Sequence, residues 1–168
     1  MKVILRRVLA LMISAIMLLG IFPTSAIAAE AQCVLTVDSA SALAGSTVEI
    51  NVSIKNNPGI LGANLRLSYD DDILTLVNAT NGEAFSKEIT YLAPSKYKNG
   101  CSFIWYGSNT GEVKDGAILT LTFKVSENAP TDYEMPITVS FDERDIIAPD
   151  YSTVPLKVIP GGIYLPTT

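Results

Sequence analysis

The 168-residue sequence contains no histidine. Imidazole is the commonest general base and a frequent metal ligand, so its absence removes Ser-His-Asp triads, Cys-His dyads and imidazole metal sites. Cysteine is nearly absent as well, because Cys33 and Cys101 are the only two and cannot close a four-thiolate zinc site. No glycine-rich phosphate loop of the GxxxxGK(S/T) form occurs, which argues against nucleotide chemistry. Tryptophan is limited to Trp105, whereas direct glycan binding usually needs a planar row of exposed Trp and Tyr. Nothing reads as a long amphipathic helix.

Long apolar runs are missing beyond the N-terminus, so no later segment is long enough to span a bilayer. The run Val8 to Phe22 is itself only about 15 residues, short of the roughly 20 that a spanning helix needs. Lys2, Arg6 and Arg7 precede it, and Ala26-Ile27-Ala28 supplies small residues at −3 and −1 of a cleavage site. Residues 1–28 therefore read as a secretory signal peptide cut after Ala28, with an uncleaved anchor as the alternative. Removal leaves 140 residues in which nine Lys and Arg face seventeen Asp and Glu, a net charge of −8 instead of −5. The expected product is one acidic, secreted domain with no membrane span. It lacks the basic face that nucleic acid binding requires.

What is present from Cys33 onward is alternation at period two, punctuated by Gly, Pro, Asn and Asp. In Thr47 to Lys55, Val48, Ile50, Val52 and Ile54 point one way and Glu49, Asn51, Ser53 and Lys55 the other. Ile60 to Tyr69 and Ala117 to Val125 repeat the pattern. Shorter strands are expected at Val34 to Asp38, Leu74 to Asn78, Glu88 to Ala93, Cys101 to Tyr106, Ile137 to Phe141 and Val154 to Ile159. About nine strands with connections too short for βαβ crossovers predict an all-β fold, two antiparallel sheets packed face to face. Within Cys101 to Tyr106, Phe103 and Trp105 share one face and Ser102, Ile104 and Tyr106 the other. Pattern alone leaves open which of them is buried.

Four blocks of sequence, in this order, resemble the cohesin family: Ala44-Gly45-Ser46-Thr47-Val48-Glu49-Ile50; Gly59-Ile60 leading to Leu67-Ser68-Tyr69-Asp70 and Leu74-Thr75-Leu76; Asp115 to Leu119 with Leu121 to Val125; and Ile159-Pro160-Gly161-Gly162. The resemblance implies a nine-stranded jelly-roll β-sandwich over residues 33–165. It also implies a non-catalytic receptor for the dockerin carried by glycoside hydrolases and related enzymes, in a cellulosome scaffold or at a cell surface. On this reading the chain needs no cofactor or metal of its own, and calcium is expected on the dockerin. Implied contacts are the outward residues of the family's eighth, third, sixth and fifth strands. Matching to the family's register places Phe103 and Trp105 outward on that sheet, with a core position for Trp105 as the alternative. Asn64 and Arg66 are further contacts or ordinary solvated residues. The family pattern has a polar Asn and Asp where this chain has Gly62 and Asn64, and the departure implies a divergent specificity. Ser108 and Gly111 fall in a contact loop where the family has an acid and a glycine, or in a plain connection. Tyr151 falls at an apolar contact position or plugs a loop. The runner-up function is a carbohydrate-binding module of related sandwich fold.

Several tempting features have ordinary readings. Asp70-Asp71-Asp72 reads as a solvated turn, since consecutive acids do not easily converge on one cation and EF-hand spacing is absent. Asp142 with Glu143, Asp145 or Asp150 offers carboxylate pairs of the kind glycosidases use, but no substrate groove is suggested. In the expected sandwich Cys33 and Cys101 begin strands of different sheets. Sheets pack about 10 Å apart and bridged Cα atoms lie within about 7 Å, so two separate thiols are expected, with a disulfide as the alternative. Leu165-Pro166-Thr167-Thr168 resembles either a sortase signal lacking its glycine or the start of a Pro/Thr linker. Residues 166–168 are thus read as tail, and cell-wall attachment would depend on residues beyond Thr168.

Overall fold

A computed structural model describes residues 31–85, 90–92, 99–106 and 113–167, with only the backbone described for 90–92. The expected signal peptide, Ser108 and Gly111 lie outside the described residues. The strands are β1 (Cys33–Val37), β2 (Ser39–Ser41), β3 (Thr47–Lys55), β4 (Gly62–Ser68), β5 (Leu74–Asn81), β6 (Thr90–Leu92), β7 (Ser102–Tyr106), β8 (Gly116–Val125), β9 (Tyr133–Ser140), β10 (Ile146–Ile147), β11 (Leu156–Ile159) and β12 (Gly161–Leu165). No helix occurs among the described residues. One sheet has the order β11-β1-β3-β8-β5, and the other runs β2-β12-β9-β4-β7-β6 with β10 alongside β4.

The sandwich is the one expected, but β2, β10 and β12 are additional strands. The first two are too short to show a period, and Gly161-Gly162 opens β12 with residues of low β propensity. β9 begins at Tyr133, upstream of the expected Ile137. Its Pro136 sits where the strand pairs with β12 alone, a position that tolerates a missing N–H. Two pairings are parallel, contrary to the all-antiparallel expectation: β1 with β11 and β2 with β12. The reason is that both strand pairs cross together from one sheet to the other. At this corner a β-carbon on Gly161 would overlap the carbonyl oxygens of Val37 and Asp38, so only glycine lets the two crossing segments approach.

Alternation sets the core. Ile50, Val52 and Ile54 of β3 and Leu119, Leu121 and Phe123 of β8 are buried in one sheet, and Leu65 and Leu67 of β4 with Met135, Ile137 and Val139 of β9 in the other. Bulges adjust the pattern locally. Ile118 is an extra residue opposite β3, and Val77 is an extra residue in β5, where it is exposed.

The face of β7 is settled by register. Ala63 lies opposite Trp105 and Leu65 opposite Phe103, and directly opposed residues point to the same side of a sheet. Since Ala63 and Leu65 are buried, Phe103 and Trp105 are core residues at 0% and 1% exposure, and the outward placement expected from the family register is overturned. Trp105 Nε1 donates to Asn81 Oδ1 at 2.8 Å, and its ring meets Phe85 edge-on at 5.4 Å. Asn81 Nδ2 in turn donates to the Phe85 carbonyl at 2.7 Å, tying the indole's two neighbours together.

Cys33 and Cys101 are free and buried, one in β1 and the other immediately before β7 in the opposite sheet. Burial, reinforced by the charge of Asp115, pushes the Cys33 thiol up to about 11. Burial likewise pushes Tyr69 up to about 12.

Two outcomes follow. Trp105→Ala opens a cavity and strands Asn81, costing about 3–5 kcal/mol in urea unfolding. The folded chain also holds the Cys33 proton more tightly than the unfolded chain, so stability present at neutral pH falls as pH rises from 9.0 towards about 11. Unfolding midpoints measured across this range should show the decline, and Cys33→Ala should make it shallower.

Candidate functional site

With Phe103 and Trp105 inside, the outward row of β7 is Ser102, Ile104 and Tyr106, lying opposite Arg66, Asn64 and Gly62 of β4. Ile104 is half-buried and Tyr106 is 70% exposed. These two were missed as candidates because the wrong face of the strand was chosen. The available signal was that Cys101, Phe103 and Trp105 form the more completely apolar set. Beyond β4, the β9 residues Thr138 and Ser140 lie opposite Ser68 and Arg66. The result is a polar sheet face with Ile104 and Tyr106 set into one side.

Asn64 and Arg66 point outward as their alternation with Leu65 and Leu67 requires, and both are held by the turn at residues 142–145. Asn64 N donates to the Asp145 carbonyl at 3.0 Å, and its Nδ2 to Asp145 Oδ1 at 3.2 Å. Its Oδ1 is buried with no hydrogen-bond partner among the described residues. Arg66 Nη2 meets Asp142 Oδ2 at 3.2 Å, with the two side chains 45% and 77% exposed. Asp145 Oδ2 accepts from Asp142 N at 2.8 Å, closing the turn. Asp142 and Asp145 thus act within the turn and on β4.

β10 continues the face where β9 leaves it. Ile147 lies opposite Gly62, and its Cγ1 lies 3.4 Å from where a β-carbon on Gly62 would stand, so the isoleucine covers that glycine. The chain then turns back. Tyr151 N donates to Ala148 O and Ala148 N to Ser152 O, each at 2.9 Å. Asp150 Oδ1 accepts from Ser152 N at 3.0 Å and Ser152 Oγ at 2.6 Å, bonds that hold its carboxyl below its ordinary value. Tyr151 is 72% exposed, so it displays its ring instead of plugging the loop.

Ser108 and Gly111 lie outside the described residues, but the chain on either side is placed. Tyr106 precedes them, and Val113, 58% exposed, follows. The re-entry is anchored by Asn57, whose Nδ2 donates to Lys114 O, whose N donates to Asp115 Oδ1 and whose Oδ1 accepts from Gly59 N, all at 3.0 Å.

A family model described as "Cohesin domain" matches residues 33–154. Cellulose-binding protein A of Clostridium cellulovorans is 29% identical over 108 residues, 62% of this chain, and the chain spans about 6% of that relative's length. Among solved structures, the sixth cohesin of Acetivibrio cellulolyticus scaffoldin B, in complex with a mutant Cel5 dockerin, is similar at a TM-score of 0.68 and 18% identity, covering 80% of this chain and 99% of that one. A non-cellulosomal cohesin from the archaeon Archaeoglobus fulgidus is similar at 0.67 and 21% identity, covering 82% and 93%.

The Arg66–Asp142 pair is exposed, and such pairs contribute about 0–1 kcal/mol. Arg66→Ala should therefore shift the unfolding free energy by less than about 1 kcal/mol in a urea titration. A loss well above that would make the pair part of the fold's framework.

Proposed function

The chain belongs to the cohesin family, and from that premise we propose that it is a non-catalytic receptor whose outer β9-β4-β7-β6 face binds the dockerin of a polysaccharide-degrading enzyme. The observation that carries the reading is the outward placement of half-buried Ile104 and exposed Tyr106 beside the polar outward residues of β4 and β9. An apolar and an aromatic side chain beside polar groups are what a protein interface of ordinary size uses, at roughly 800 Å² per partner. A carbohydrate-binding module has less to build on, because burial of Trp105 withdraws the one tryptophan from glycan stacking.

The proposal extends to setting. Captured enzymes are held on a scaffold or at a cell surface outside the cell, consistent with the leader-like N-terminus and the acidic balance of the remainder. Calcium is supplied on the dockerin side, and this chain contributes no catalytic group.

Pull-down with the purified protein against dockerin-bearing enzymes tests the reading. Capture is expected with calcium and lost with chelator. Ile104→Asp should reduce capture at least about ten-fold while leaving the melting temperature near wild type. Retention on insoluble polysaccharide with no dockerin capture would contradict the proposal.

A further inference from the structure

Asn-Gly occurs twice in the sequence, at Asn81-Gly82 and Asn99-Gly100. The dipeptide carries chemistry of its own. Because glycine has no side chain to obstruct the approach, its backbone nitrogen can swing onto Cγ of the preceding asparagine. The C–N bond that forms expels the side-chain nitrogen as ammonia and leaves a succinimide. Water then opens the ring at either carbonyl, giving aspartate in the ordinary linkage or with the main chain running through its side-chain carboxyl. Water is the only co-reactant.

The fold demands both residues at 81 and 82. Asn81 closes β5, and its side chain makes three bonds: Oδ1 accepts from Trp105 Nε1 at 2.8 Å, while Nδ2 donates to Gly82 O at 3.0 Å and to Phe85 O at 2.7 Å. An amide supplies that donor and acceptor together, whereas an ionised aspartate only accepts. A β-carbon on Gly82 would stand 2.1 Å from Ala117 O, so the close approach to β8 admits only glycine. A reactive pair thus sits where the core and the sheet margin require it.

With this corner closed, the reacting atoms are held apart. Gly82 N donates to Ile118 O at 3.0 Å and Ala84 N to Ala117 O at 2.9 Å, which ties the attacking nitrogen to β8. The Asn81 amide is meanwhile fixed to the indole and to Phe85 O. The exposed pair at 99 and 100 is tied elsewhere: Asn99 Oδ1 accepts from Tyr69 N at 3.2 Å, and Gly100 N donates to Leu67 O at 2.8 Å. It serves as an internal reference.

We propose that Asn81 is a self-modification site guarded by the Trp105 indole, and that its conversion on opening of the corner damages the fold irreversibly. The product carboxylate would face the Gly82 and Phe85 carbonyls with no proton to donate. The proposal does not depend on the dockerin reading. Peptide mapping by mass spectrometry, on the purified protein held at mildly alkaline pH in buffer and in urea beyond the unfolding midpoint, tests it. Asn81 is expected to convert at least about ten-fold more slowly in buffer than in urea. Trp105→Phe keeps a ring and removes the N–H, and it is expected to speed Asn81 conversion in buffer about ten-fold while Asn99 keeps its wild-type rate. Asn81→Asp encodes the product and is expected to melt well below the wild type at neutral pH. A carboxyl facing two carbonyls has a raised pKa when folded, so that deficit should be smallest below the ordinary Asp value of about 3.9 and grow as pH rises. Conversion of Asn81 as fast in buffer as in urea, or in neither, would overturn the modification site. Equal acceleration at Asn81 and Asn99 in Trp105→Phe, or none at either, would overturn the indole as guard. Asn81→Asp melting with the wild type would overturn the damage.

Discussion

The pairing register of β4 with β7 is the constraint on which the rest depends. Placing Leu65 opposite Phe103 and Ala63 opposite Trp105 commits every second residue of β7 to the core. A slip of one residue would turn Phe103 and Trp105 out to solvent and bury Tyr106. The register is secured from inside by the indole, bonded to Asn81 and packed on Phe85. Its outer consequence is the placement of Ile104 and Tyr106 beside Asn64 and Gly62. Core packing and the proposed recognition face are thus two sides of one strand.

The face is completed by segments that are barely regular. The turn at 142–145 is docked on β4 through Asn64 and Arg66, and β10 contributes a two-residue pairing that covers Gly62. Asn57 fixes the chain at Lys114 and Asp115, ahead of β8. These segments reach the sheet through few bonds each.

Much of the fold was legible in the sequence, because strands half-covered by a core must alternate. β3, β4 and β8 carry that signal without ambiguity, and it placed Asn64 and Arg66 on the outside. β2 and β10 were not legible, since two or three residues hold no period, and β12 was hidden by its opening glycines. Those same glycines belong to one of the blocks that resemble the cohesin family, and the structure gives their reason in the crossing of two strand pairs between sheets. The candidate face was half legible. β7 alternates two apolar-rich rows, and only its partner's register distinguishes them. Choosing the wrong row lost Ile104 and Tyr106 and promoted Phe103 and Trp105. The exposure of Tyr151 depends on a left-handed φ that no pattern of side chains announces.

The central claim is that a partner occupies the outer face of β9-β4-β7-β6 and leaves the other sheet free. Amide hydrogen exchange of the protein alone and bound to a dockerin-bearing enzyme tests it most directly. The account predicts slowed exchange over residues 62–66, 102–106 and 146–151, with β11-β1-β3-β8-β5 unchanged. Slowed exchange confined to that five-stranded sheet would contradict it.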